Sequence, residues 1–206
     1  RYQYTFCNAI KSEMMKIDCG VPQGSVLGPL LFLVYMNDIN AALPDQKIKL
    51  FADDTNLFIS GKNLSEASEL AADCIGKLSE WFTANKLTLN IDKTCFMVFP
   101  PDKTNSVALC INGKAINKVG SCRYLGVIID DELKWNDHIQ HVYNKLIKYV
   151  GIFYKLRNKL PITMLQTIYY AFVHSHLLYA VEVYANTCPT YLEKLVTLNN
   201  KQLLIL

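Results

Sequence analysis

The sequence predicts an α+β fold, with short strands and helices mixed up to about residue 130 and a helical segment after it. Three observations carry this. Alternating apolar and polar residues recur between turn dipeptides in the first segment, and apolar spacing of three and four residues replaces them beyond Asp130. The composition, 51% hydrophobic over 206 residues with no low-complexity linker, is enough to bury a core.

Tyr2, Tyr4 and Phe6 alternate with Gln3 and Thr5 as an edge or hairpin strand does, and Met14 to Ile17 make a second strand. Gly20, Pro22, Gln23 and Gly24 form a loop. From Ser25 an apolar run, polar only at its far end around Asn37 and Asp38, reaches about Leu43 and reads as one helix buried on most sides. Ile48, Leu50, Phe51 and Ala52 then lead into Asp53-Asp54, and Leu57, Phe58 and Ile59 lead out. That pattern predicts two short buried strands with the acids at the tip of a tight turn.

Leu64, Ala67, Ala71, Cys74, Ile75, Leu78, Trp81 and Phe82 share one helical face, with Ser65 as the expected N-cap. A strand from Cys95 to Phe99 ends at Pro100 and Pro101. Asn112-Gly113, flanked by Val107, Leu109 and Ile111 and by Ala115 and Ile116, is a hairpin signal. Arg123 to Ile129 reads as a further strand. One helix is expected from about Asn136 to Arg157, and another after Pro161, where Thr163 and Gln166 have capping-box spacing, running to about Ala185. A last amphipathic piece covers Tyr191 to Leu206.

The net charge of +3 is too small to argue for nucleic acid by itself. Its distribution is uneven. No Asp or Glu lies between His138 and Ala180, where Lys145, Lys148, Lys155, Arg157 and Lys159 interleave with Tyr143, Tyr149, Phe153 and Tyr154. Such a stretch is either a solvated helix face or a track for a phosphate backbone. The 7 cysteines are odd in number, lack CxxC spacing and read as free, buried thiols of a reducing compartment. His138/His141 and His174/His176 have no Cys or acid at zinc-site spacing and read as ordinary helix residues. The longest apolar run, Val26 to Met36, is too short for a bilayer and no cleavable signal precedes it, so a soluble intracellular protein without a membrane partner is expected. The start at Arg1, straight into strand-like residues, suggests a piece of something longer.

The chemistry-bearing residues each admit two readings. Asp53-Asp54 is a plain surface turn or a site for a divalent cation, which prefers carboxylate oxygens. Pro22-Gln23-Gly24 is required by a turn, or lets backbone approach a nucleotide at Gly24 while Gln23 offers both a donor and an acceptor. Lys93 is a solvated loop lysine, and Tyr124-Leu125-Gly126 part of a core strand, unless something else recruits them.

In order, "GVPQGSVLGPLLFLVYMNDI", "FADD", "LTLNIDKTCFMVF" and "YLGVIID" resemble the palm blocks of reverse transcriptases from non-LTR (LINE-type) retrotransposons, jockey-like ones especially. "LPITMLQTIYYAFVHSHLLYA" and "LNNKQLL" resemble the helical region after that palm. The resemblance implies a partial right-hand polymerase palm, an antiparallel sheet with packed helices, over residues 1–130 and a helical thumb-like region over 131–206. It implies an RNA-directed DNA polymerase that uses an RNA template, a DNA primer and dNTPs with two Mg²⁺ ions, or Mn²⁺ in their place, in the nucleus or cytoplasm.

Residue by residue, it implies Asp53 as the direct metal ligand with Asp54 supporting it, and Pro22, Gln23 and Gly24 along the incoming nucleotide and template. Ala52 leaves room beside that nucleotide, and Phe51 stands where many relatives carry Tyr. Lys93 is implied near the departing pyrophosphate and Tyr124, Leu125 and Gly126 at the primer end. The same family places a further Asp on a separate upstream strand. Only Glu13 and Asp18 precede Gly20, neither in such a context, so a third metal ligand, the fingers and any endonuclease domain are missing here and the chain alone is expected to lack polymerase activity. The alternative is a catalytically dead relic that grips a duplex with the basic helix from Lys145 to Lys159.

Overall fold

The computed structural model describes residues 2–17, 20–22, 24–102 and 107–206. In chain order the elements are β1 (Tyr2–Gln3), β2 (Phe6–Cys7), β3 (Ile10–Lys11), β4 (Met15–Lys16), α1 (Gly28–Tyr35) and α2 (Ile39–Ala42). Next come β5 (Lys47–Phe51), β6 (Asp54–Phe58), α3 (Leu64–Ala84), β7 (Cys95–Phe96), β8 (Cys110–Ile111), β9 (Lys114–Ala115) and β10 (Asn117–Lys118). The chain finishes with β11 (Ser121–Tyr124), β12 (Val127–Asp130), α4 (Asn136–Leu156), α5 (Ile162–Tyr169), α6 (Ser175–Leu178), α7 (Val181–Tyr184) and α8 (Pro189–Leu203). Mixed helix and strand is therefore correct. Among the described residues the strands pair only in twos, antiparallel except for the parallel pair β7–β10, instead of joining one antiparallel sheet.

Two compact units result, Arg1–Asn90 with Leu109–Ala115, and Ile91–Ala108 with Ile116–Leu206. In the first, the core is Met36, Ile39, Leu43, Cys74, Leu78 and Phe82, with the half-buried Ile48, Leu57 and Ile59 packed against it. The periodic face of α3 supplies half of that core, as its spacing predicts. Its N-cap is Asn63, not Ser65: Asn63 is extended, and its Oδ1 accepts from the Glu66 amide at 2.8 Å while Glu66 Oε2 accepts from the Lys62 amide at 2.9 Å. At its other end Lys86 is left-handed (φ 55°), the Leu87 amide donates to the Phe82 carbonyl and the Lys86 amide to the Thr83 carbonyl. That pair of bonds is a Schellman closure with lysine where glycine is usual.

The expected helix from Ser25 to Leu43 is instead two helices, and α1 buries none of its residues. Leu30, Leu31, Leu33 and Val34 are exposed, because the described residues cover only the C-terminal end of α1, through Phe32 and Met36. The acidic hairpin is also less buried than expected: Phe51 and Phe58 are exposed and only one face of the ribbon meets the core. The alternation near the N-terminus breaks into two antiparallel pairs, β1–β4 and β2–β3, the inner one turning on Asn8 and Ala9 with positive φ. Asn112 (φ 50°) and Gly113 (φ 78°) make the β8–β9 hairpin as expected.

The second unit is built on α4, whose Ile139, Val142, Leu146 and Phe153 are buried against Leu165 and Tyr169 of α5, Val173, Tyr184, and Leu195 and Leu198 of α8. Gln202 is fully buried and donates Nε2–H to the Leu146 carbonyl at 2.8 Å. The strand expected from Cys95 to Phe99 pairs only over Cys95–Phe96. The long helix expected to Ala185 is broken: α5 passes into a π-helical turn over Tyr170–His174, α6 stops at Tyr179, and Ala180 is left-handed (φ 58°) before α7. No capping box forms at Thr163 and Gln166. Pro161 occupies the N-cap, and the Thr163 carbonyl accepts from Thr167 instead. The described cysteines are free, but only Cys74 is buried, while Cys7, Cys95, Cys110 and Cys188 lie exposed on short strand edges or loops; Cys19 is outside the described residues. No helix of the described residues is long and apolar enough to cross a membrane.

Candidate functional site

The acidic pair sits where the turn chemistry put it. In the β5–β6 ribbon Phe51 pairs with Asp54, which leaves Ala52 and Asp53 as a two-residue turn. Ala52 takes positive φ (50°), a conformation that costs a residue with a Cβ about 1–2 kcal/mol. Asp53 is thus carried by the turn and Asp54 by the first position of β6. Both are exposed, so their oxygens can meet a ligand without desolvating a core. Hard oxygen donors at an accessible tip fit Mg²⁺, whose other positions go to water and phosphate oxygens. Among the described residues no group of three His, Cys, Asp or Glu assembles, so two carboxylates are what this tip offers a cation.

The loop before α1 belongs to the same unit. The Ser25 amide donates to the Pro22 carbonyl at 3.1 Å across a turn with Gly24 at φ 82°. A Cβ at Gly24 would meet nothing within 4 Å, so the backbone angle and not a close neighbour is what requires glycine here. Gln23 and Asp18 lie outside the described residues, and Glu13 is an exposed residue of the loop between β3 and β4. The Tyr35 hydroxyl donates to the Asn85 carbonyl, tying α1 to the end of α3.

The remaining candidates belong to the second unit. Lys93 ends a single 3-10 turn, Ile91–Lys93, and is exposed. The single strand expected from Arg123 to Ile129 is instead a hairpin, with Tyr124 ending β11. Leu125 (φ 46°) and Gly126 (φ 84°) form the tight turn of the β11–β12 hairpin, where Tyr124 pairs with Val127. The leucine at a left-handed position hid this turn from the sequence. Of the basic residues, Lys148 and Lys155 face solvent on α4 and Lys145 is half-buried, whereas Arg157, at the helix C-cap, lies over the Tyr154 ring at 5.1 Å, and Lys159 follows the helix. They do not form one stripe.

Two residues at the end of this hairpin matter beyond their sequence reading: Asp130, to which the sequence assigns no role, and His138, which reads as an ordinary helix residue. Asp130 accepts from the amides of Glu132, Lys134 and Trp135, at 3.2, 2.9 and 2.7 Å, and so organises the approach to α4, whose own N-cap residue, Trp135, has no side-chain bond. The only local hint is an acid a few residues ahead of a helix start. His138 is buried, its Nδ1 accepts from the Ile128 amide at 3.3 Å, and its ring meets Tyr184 edge-on. Burial, with His141 and Lys145 nearby, pushes its pKa down, so the neutral imidazole is the form that fits.

Comparison with known proteins decides the family. A family model described as reverse transcriptase (RNA-dependent DNA polymerase) matches residues 2–129. The chain belongs to that family. It is 31% identical to the RNA-directed DNA polymerase from mobile element jockey of Drosophila funebris, over 94% of this chain and 22% of the relative. The jockey polymerase of Drosophila melanogaster is 27% identical over 94% of this chain and 22% of its own length. The probable RNA-directed DNA polymerase from transposon X-element of the same fly is 26% identical over 98% of this chain and 23% of the relative. Kinship with non-LTR retrotransposon reverse transcriptases thus extends along most of this reverse transcriptase chain, which spans less than a quarter of those relatives. No solved structure matches it.

Proposed function

We propose that this reverse transcriptase chain supplies the Asp53-Asp54 part of an RNA-directed DNA polymerase site that joins a primer 3′-hydroxyl to a dNTP on an RNA template. The observation that carries the reading is the pair itself, at the open tip of a two-residue turn inside the stretch matched by the family model. Bound there, Mg²⁺ supplies activation of the attacking oxygen and neutralisation of the leaving phosphate. Asp53, on the turn, would hold the ion directly, and Asp54, paired with Phe51 at the first position of β6, would support it. A carboxylate from outside this pair would be needed for a second ion.

On the same reading residues 1–130 act as palm and 131–206 as thumb. The end of the family match at residue 129 supports a boundary there, although the compact units divide earlier, after Asn90 and Ala115. Pro22, Gln23 and Gly24 with Phe51 and Ala52 border the nucleotide and template, Lys93 assists the departing pyrophosphate, and the Tyr124–Gly126 turn meets the primer. Lys145, Lys148, Lys155, Arg157 and Lys159 contact the nucleic-acid backbone.

The test is Mg²⁺-dependent primer extension on an RNA template by the polymerase of the parent element carrying this segment. Asp53→Asn lowers the rate by about 10³-fold or more, through loss of both nucleophile activation and charge neutralisation, and Asp54→Asn lowers it less. Neither shifts the melt, because clustered carboxylates repel rather than hold the turn together. Near-normal extension by Asp53→Asn together with an early melt would return the pair to a structural turn.

A further inference from the structure

The β11–β12 turn is held from far along the chain. Tyr179 donates its hydroxyl to the Leu125 carbonyl oxygen at 2.5 Å, and its ring lies against Gly126, where an added Cβ would stand 3.3 Å from Cε1, 3.6 Å from the hydroxyl oxygen and 3.8 Å from Cζ. The ring reaches the turn because the helical run is interrupted there. Tyr179 itself is extended and Ala180 is left-handed, so the side chain leaves the end of α6 instead of joining a helix face. Tyr179 nevertheless remains 54% exposed, which no core-packing role requires.

We infer that Tyr179 is a positioning residue for the primer end, acting through the Tyr124–Gly126 turn; this rests on the reading that places that turn at the primer. Leu125 occupies a backbone region that disfavours side chains, and its carbonyl would otherwise be satisfied only by water. Bound to the tyrosine hydroxyl and covered on the Gly126 side by the ring, the turn has one arrangement instead of several. A contact to sugar and phosphate gives register only when the group making it is already in place. Gly126 serves the same end: its φ of 84° disfavours a side chain, and a Cβ there would press on the ring.

The experiment compares binding of the 206-residue chain to an RNA–DNA duplex with a recessed DNA 3′-end and to a blunt duplex of equal length. Wild type prefers the recessed end. Tyr179→Phe, which keeps the ring and removes one hydrogen bond, lowers that preference about fivefold, and Tyr179→Ala removes it. In Tyr179→Phe the blunt-duplex affinity and the melting temperature stay at wild-type values, which separates positioning from general destabilisation. Absence of any preference in wild type would overturn the assignment of the turn to the primer, and this inference with it. A wild-type preference retained by both variants would overturn the role of Tyr179 alone, as would a loss in Tyr179→Phe matched by weaker blunt-duplex binding and an early melt.

Discussion

Replacing Asp130 by alanine tests whether one carboxylate holds the helical unit to its hairpin. The side chain accepts three backbone amides, with the shortest bond, 2.7 Å, coming from Trp135, which has positive φ (64°) and packs partly buried against the α4 core. Bonds to a charged acceptor contribute about 1.5–3 kcal/mol each when nothing replaces them. Here the Glu132 and Lys134 amides are exposed enough to turn to water, so most of the loss falls on Trp135 and on the helix start it controls. Asp130→Ala is therefore expected to cost about 2–4 kcal/mol. Asp130→Asn keeps an acceptor but turns an amide group toward a backbone donor, and should cost about half as much. With a urea slope of roughly 1–3 kcal/mol/M, the alanine variant should lower the unfolding midpoint by about 1–2 M. Trp81 and Trp135 are the 2 tryptophans, so fluorescence of the chain in a Trp81→Phe background follows the second unit. A midpoint change in Asp130→Ala worth less than about 0.5 kcal/mol would show that the amides are equally well served by solvent and refute the argument.

His138 gives a pH dependence of definite sign. Its folded-state pKa lies below the ordinary value of 6.5, so as pH falls past that value the unfolded chain takes up the proton first and stability drops, continuing to do so down through the folded pKa. Urea midpoints from pH 7.5 to 5 should show this slope, and His138→Gln should reduce it to the part due to His141, whose pKa burial also lowers. Lys86→Gly relieves a left-handed lysine and should raise the first unit's stability by about 0.5–1 kcal/mol, read by Trp81 fluorescence. Asn63→Ala removes the α3 cap and should lower it by about 1 kcal/mol, with Ser65→Ala close to neutral. Replacing Lys145, Lys148, Lys155, Arg157 and Lys159 together by Gln should weaken duplex binding and flatten a log–log salt slope of about −3 to −4; an unchanged slope would make them a solvated surface.

What the sequence made legible was whatever its local chemistry decides. Asp53-Asp54 between apolar runs, Asn112-Gly113, and the apolar spacing along α3 and α4 each placed an element with little error. The failures have physical causes of the opposite kind. Leu125 takes a left-handed angle that its side chain disfavours, so apolar Tyr124-Leu125 concealed the start of that turn, whereas the Asp53-Asp54 turn was legible and only begins one residue earlier, at Ala52. The breaks within the runs 25–43 and 161–185 fall in apolar sequence that periodicity cannot divide. Asp130 and Tyr179 matter through partners that only the folded chain brings to them.

Helix α1 has one more consequence, for how substitutions in it will be tolerated. Pro29, Leu30, Leu31, Phe32, Leu33 and Val34 surround it with hydrocarbon on every side, so its sequence distinguishes no direction as inward. An amphipathic helix such as α3 records its orientation residue by residue, and exchanging a leucine for a valine on its inner face is felt. In α1 only Phe32, packed on the first core, and Tyr35, bonded to the Asn85 carbonyl, outrank their neighbours. A scan through Leu30, Leu31, Leu33 and Val34 should give a flat profile, indifferent to which apolar residue stands where and equally responsive to the first charge introduced at any of them.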